Sequence, residues 1–136
     1  MDRTAWSLFV PGLPKSARPG TLIISRTTGK PFLRKRNTGW ANRIADAASA
    51  NPPPAVLEGP LVAQLRFRMV RPVSGKAAKR AWPAVRPDVE RLGSGILDAL
   101  QHIVFRDDAQ IVDLHLLKVY DVAPGVMITV EEIGDG

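Results

Sequence analysis

RPDVERLGSGILDALQHIVFRDDAQIVDLHLLKVY, residues 86–120, changes period halfway along. Val89, Leu92, Ile96, Leu97 and Leu100 recur at three- and four-residue steps. That spacing predicts an amphipathic helix from Asp88 to about His102. Asp88 is a favourable N-cap residue, and acids in the first turn suit the helix dipole. Gly93 and Gly95 lie inside this helix, where each costs about 1 kcal/mol against alanine. Their presence implies close packing against another backbone or a ligand. Residues 111–120 then read as a strand.

Working outward, residues 61–70 (LVAQLRFRMV) alternate. Leu61, Ala63, Leu65, Phe67 and Met69 share one face; Val62, Gln64, Arg66 and Arg68 share the other, so the strand is half-buried. Residues 126–133 read as a last strand, joined to the previous one by the turn DVAPG. Residues 5–10 (AWSLFV) and 21–25 (TLIIS) read as two early strands that could pair with each other. Residues 27–30 make a polar turn around Gly29. Thr38 is a plausible N-cap for a helix over residues 39–50, with Trp40, Ile44, Ala47 and Ala48 on its core face. NPPP at 51–54 ends that helix, because proline lacks an N–H and restricts the residue before it. Residues 71–87 are basic and punctuated by proline, and read as a mobile loop. The order is strand, strand, helix, strand, helix, strand, strand. It predicts an α+β protein of one domain spanning residues 1–136, with a mixed sheet and two main helices packed on one of its faces.

The chain has 136 residues, 45% of them hydrophobic, which allows a real core. It has no cysteine, which excludes disulfides, thiolate metal sites and a cysteine nucleophile. The start of the chain lacks a signal-peptide pattern, and no apolar run approaches the roughly 20 residues needed to span a bilayer. The expectation is a cytoplasmic protein with no membrane partner. Net charge is +6, but residues 1–87 hold 16 Lys or Arg against 3 Asp or Glu, whereas residues 88–136 hold 3 against 10. The basic first part points to a polyanionic partner, most simply nucleic acid.

The acids gather at two corners: Asp88 and Glu90 at the helix start, and Asp107 and Asp108 before the next strand. Hydrolysis of a phosphodiester accumulates negative charge on oxygen, which a divalent ion stabilises while activating water. Mg2+ prefers oxygen ligands, so carboxylates converging beside a basic surface are the expected site. A helix of about 15 residues spans roughly 22 Å, which would hold the two corners apart. Either the helix ends early, or the chain doubles back, or a second subunit supplies one corner. Each acid also has an ordinary role open to it, as a cap, a dipole partner or a turn residue.

LDAL at 97–100 and DDAQIV at 107–112, in that order and spacing after PDVERL, resemble the signature region of RusA-type Holliday junction resolvases of bacteria and phages. PGLPKSARP near the start and VMITVEEIG near the end are also similar. The resemblance implies a RusA-like fold and a homodimeric Mg2+-dependent endonuclease, with Mn2+ as an alternative ion. It would make paired symmetric nicks in branched DNA and need no small-molecule cofactor. It places the catalytic carboxylates at Asp88, Glu90 and Asp108, these three holding the metal, with Asp107 beside them. The host would be a bacterial cell or a phage-infected one. Glu90 stands where the family commonly has aspartate. Ser94 stands where it has a helix lysine, and Arg91, one turn earlier, is placed to reach the same space. Lys118 matches a basic position on the family's following strand.

For DNA contacts the sequence offers Arg34, Lys35, Arg36, Lys76, Lys79, Arg80, Arg86, Arg91 and Lys118. Trp82 suits either a stacking role or ordinary packing. His102 and His115 are too few and too scattered for a zinc site. Asp98, within LDAL, reads as serving structure or the dimer rather than the metal. Asp113 is near the site in sequence, but its side chain alternates with that of Val112, which allows it to face away. The rival readings are a junction-binding protein with weak or lost cleavage, and a sequence-specific DNA-binding protein whose acids are purely structural.

Overall fold

In the computed structural model, which describes residues 4–16, 21–34 and 39–134, four strands form a mixed sheet in the order β1, β6, β4, β5. These are β1 (Thr4–Pro11), β4 (Leu61–Met69), β5 (Ile111–Tyr120) and β6 (Gly125–Glu132). β2 (Thr21–Ile24) and β3 (Pro31–Arg34) form a separate antiparallel hairpin. The helices are α1 (Gly39–Ala50) and α2 (Val89–Leu100). Thr38, Lys35 and Arg36 lie outside the described residues.

The alternation expected along β4 is present. Leu61, Ala63, Leu65 and Phe67 are buried, while Gln64 and Arg66 are exposed. Val126, Ile128 and Val130 of β6 and Trp6 and Val10 of β1 continue the same apolar face across the sheet. Trp40, Ile44 and Ala48 of α1 and Leu92, Ile96, Leu97 and Leu100 of α2 close over it. The result is the expected α+β architecture with both helices on one face of a mixed sheet.

Three expectations change. β2 pairs with β3, not with β1, whose partner is β6. The reason is local: the Ser25 hydroxyl accepts the N–H groups of Thr27 and Thr28, and Gly29 takes the left-handed φ of 69° that the tight turn needs. α2 stops at Leu100, because Gln101 leaves helical geometry and His102 has φ 69°. Residues 71–87, expected to be mobile, are pinned by two cations. Arg71 Nη1 donates to the carbonyls of Ala78 and Arg80, and Lys118 Nζ donates to those of Val85 and Pro87. A short 3-10 helix, Lys76–Lys79, lies within this loop.

The feature that positions the acids is the parallel pairing of β4 with β5. Parallel neighbours need a crossover, and α2 lies within it. The chain leaves β4 at Met69, starts α2 at that end of the sheet, and runs back to begin β5 beside Leu61. Gly93 makes the crossover tight. A Cβ there would stand 2.8 Å from Leu116 Cδ2, so the glycine admits a β5 side chain rather than another backbone.

Candidate active site

The two acidic corners differ in how their carboxylates are used. Asp88 occupies the N-cap of α2 in backbone terms, since its carbonyl accepts from Leu92 N at 3.1 Å. Its side chain makes no capping hydrogen bond. The carboxylate faces Arg91 instead, with Nε to Oδ2 at 3.7 Å, and both groups are exposed. Arg86, Pro87, Asp88, Arg91 and Ser16 line an open hollow of about 530 Å³ at this end of the helix. Glu90 is exposed in the first turn. Lys118 underlies the corner, and its bonds to Val85 and Pro87 commit two of its three donors to holding the turn that leads into α2.

At the other corner, Asp107 is spent on structure. Its Oδ1 accepts from Ala109 N at 2.8 Å, capping the single 3-10 turn Asp108–Gln110. Gln110 completes a capping box and does more. Its Oε1 accepts the N–H groups of Arg106 and Asp107 at 2.9 Å, and its Nε2 donates to the carbonyls of Leu57 and Gly59 at 3.0 Å. One amide therefore ties the corner to the segment entering β4. Arg106 adds an ion pair to Glu58 at 2.6 Å, and Glu132 accepts from Glu58 N and Gly59 N. Asp108 donates its own N–H to Gln101 Oε1 at 3.4 Å, while its carboxylate has no partner among the described residues. Gln110 was not singled out from the sequence. The aspartate-to-glutamine spacing of three is the capping-box pattern that would have found it.

Asp88 stands at the start of α2 and Asp108 contacts the residue that follows its end. Twelve helical residues extend about 18 Å, so the corners do not meet within one chain. Among the described residues no group of three or more carboxylate or imidazole side chains is placed to hold a metal ion. Asp88, Glu90 and Asp108 of a single chain thus do not fit a three-carboxylate centre.

The other expected residues are scattered. Lys76, Lys79 and Arg80 lie in the pinned loop, Arg34 ends β3, and Trp82 is 60% exposed. On β5 Asp113 pairs with His115 at 3.0 Å, and Asp98 accepts from Gln101, whose amide oxygen in turn accepts the Asp108 N–H. Among the described residues no helix is long and apolar enough to cross a membrane.

A curated relative, "Uncharacterized protein YqaN" of Bacillus subtilis (strain 168), is 29% identical over 116 residues, covering 77% of this chain and 82% of the relative. The family model described as Endodeoxyribonuclease RusA matches residues 11–131. That match takes in the sheet from the end of β1 to β6, both helices and both acidic corners, and the chain belongs to the RusA endodeoxyribonuclease family.

Proposed function

We propose that the protein is a divalent-metal-dependent endonuclease that makes paired nicks in four-way DNA junctions as a homodimer. The observation that carries this reading is the state of Asp88 and Asp108. One takes a helix cap without capping, and the other has an unpartnered carboxylate beside a neighbour that does the capping. Asp88, held only by an exposed ion pair with Arg91 and lying beside Arg86, and Asp108, whose carboxylate has no structural use among the described residues, suit work on a phosphodiester.

A second copy would bring the corners together. β5 is one of the two edge strands of the sheet, ten residues long, with Val112, Leu114 and Leu117 between 41% and 65% exposed. A long apolar edge of this kind invites pairing. Two β5 edges joined antiparallel around a two-fold axis would reverse one strand against the other. Asp108 of the second copy would then lie beside Asp88 and Glu90 of the first. This set offers only oxygen ligands, which suits Mg2+ or Mn2+. The ion would supply an activated water and stabilise charge at phosphorus. Arg86 and Arg91 would hold the phosphate, Asp107 and Gln110 would hold Asp108 in position, and Arg34, Lys35, Arg36, Lys76, Lys79 and Arg80 would grip the junction arms.

The test is cleavage of a synthetic four-way junction with Mg2+ and with chelator, alongside Asp108→Asn. Paired nicks that need metal and vanish in the variant are expected. One observation favours a second reading, a junction binder with little cleavage: Ser94 is exposed on α2 where the family carries a lysine. Tight binding without nicks would select that reading, and restored nicking in Ser94→Lys would explain it.

A further inference from the structure

A second basic hollow lies between the end of β1 and the start of α1. It is open, about 450 Å³, and lined by Gly12, Leu13, Lys15, Gly39, Trp40 and Arg43. Lys15 and Arg43 are exposed, and neither has an ion-pair or hydrogen-bond partner among the described residues. They differ in this from Arg71, Arg106 and Lys118, whose donors are committed to carbonyls or a carboxylate. Asp46, one turn beyond Arg43, makes no pair with it among the described residues.

The hollow is held in shape. Pro11 pairs with Gly125, Gly12 N donates to Pro124 O at 3.1 Å, and Pro14 is buried, so Lys15 projects from an anchored segment. Gly12 has φ +137°, a conformation that L side chains rarely adopt. A Cβ there would stand 2.7 Å from Arg43 Nη1 and 2.8 Å from Trp40 Cζ3. The missing side chain is therefore what lets the guanidinium lie against the backbone. Anchoring lowers the entropy lost when the two cations grip an anion.

The hollow also adjoins the acidic corner. Lys15 lines it, and the next residue, Ser16, lines the hollow that holds Arg86, Asp88 and Arg91. Consecutive Cα atoms are about 3.8 Å apart, so the two hollows are neighbours along one segment.

We propose that Lys15 and Arg43 form a second phosphate subsite, which holds a backbone phosphate of the same DNA strand that passes Arg86, Asp88 and Arg91. The proposal rests on the DNA-cutting reading and extends it to residues outside the acidic corners. Arg43 offers a planar fork of donors to the phosphate oxygens, and Lys15 adds a point charge.

The experiment measures binding of a four-way junction by fluorescence anisotropy, in chelator so that no strand is cut, across a range of salt. Lys15→Ala/Arg43→Ala is compared with Arg26→Ala/Lys30→Ala, which removes the same charge from the β2–β3 turn. The expected result is roughly tenfold weaker binding and a salt slope smaller by about 2 for the first variant, with a lesser change for the second. A junction carrying single neutral methylphosphonates then locates the contact. One phosphate near the cleaved bond should matter to the wild type and not to Lys15→Ala/Arg43→Ala. Equal losses in the two double variants, or no phosphate with that signature, would overturn the subsite alone. A wild-type protein that does not bind the junction would overturn the DNA-cutting reading with it.

Discussion

Gln110 accepts the backbone N–H of Asp107 at 2.9 Å while its amide nitrogen bridges the carbonyls of Leu57 and Gly59. That one side chain, beside the Arg106–Glu58 pair, thus ties the acidic corner to the segment entering β4. Gln110→Ala removes four hydrogen bonds, each worth about 1 kcal/mol net, two of them exposed and two to partly buried carbonyls. Some of the freed groups will find water. We expect a loss of about 3 kcal/mol and a Tm lower by about 10 °C. Thermal unfolding checks this. A change under about 1 kcal/mol would mean that the Glu58–Arg106 pair, not Gln110, holds the corner.

Lys118 does for the other corner what Gln110 does for this one, across 31 residues of chain to Pro87. Lys118→Met keeps the apolar stem and removes the ammonium. The carbonyls of Val85 and Pro87 lose a charged donor, at a cost of about 1–3 kcal/mol. The consequence is local, because this lysine and Arg71 are what pin residues 71–87. Trypsin should cut after Lys76, Lys79 or Arg80 faster in Lys118→Met than in the wild type. Equal rates would show that the loop is held by something else.

The parts of the fold legible in the sequence are those that depend on one segment at a time. Leu61 to Phe67 and Val89 to Leu100 announce their period and buried face, and both are as expected. Pairing between segments is harder to read. PFLR gives only four residues of pattern within a basic run, so β3 and its claim on β2 were missed. The parallel register of Leu61 with Ile111 has no trace in periodicity, yet it decides which end of the sheet each acidic corner occupies. At the site, the residue types were legible and their division of labour was not. Asp107 and Asp108 are alike in sequence, and only the turn geometry shows that one caps and the other does not.

Gly93 tests how closely α2 sits on β5. Gly93→Ala gains about 1 kcal/mol in helix propensity. It also sets a methyl group 2.8–2.9 Å from both Leu116 methyls. Overpacking of this kind costs about 1–3 kcal/mol. We expect a net loss of about 1 kcal/mol in Gly93→Ala. In Gly93→Ala/Leu116→Ala the losses should be less than additive, because the clash is gone. Simple additivity in urea unfolding would mean that Leu116 moves aside freely.

The separation of Asp88 from Asp108 along α2 makes a prediction about mixtures. If each centre takes Asp88 from one copy and Asp108 from the other, Asp88→Asn and Asp108→Asn are each inactive alone, with cleavage down by a factor of about 100 or more. Mixed and allowed to exchange subunits, they form a heterodimer with two unlike centres. One centre carries both substitutions. The other draws Asp88 from the Asp108→Asn copy and Asp108 from the Asp88→Asn copy, and is intact. The mixture should therefore nick the junction, but one strand at a time, with paired cuts lost. Centres built within one chain would give the opposite result, since every centre in the mixture would carry one substitution and nicking would not return. Junction binding by each variant, measured in parallel, separates loss of cleavage from loss of folding. A charge introduced on the exposed edge, Leu114→Lys, should abolish the rescue by keeping the β5 strands apart, while each monomer remains folded.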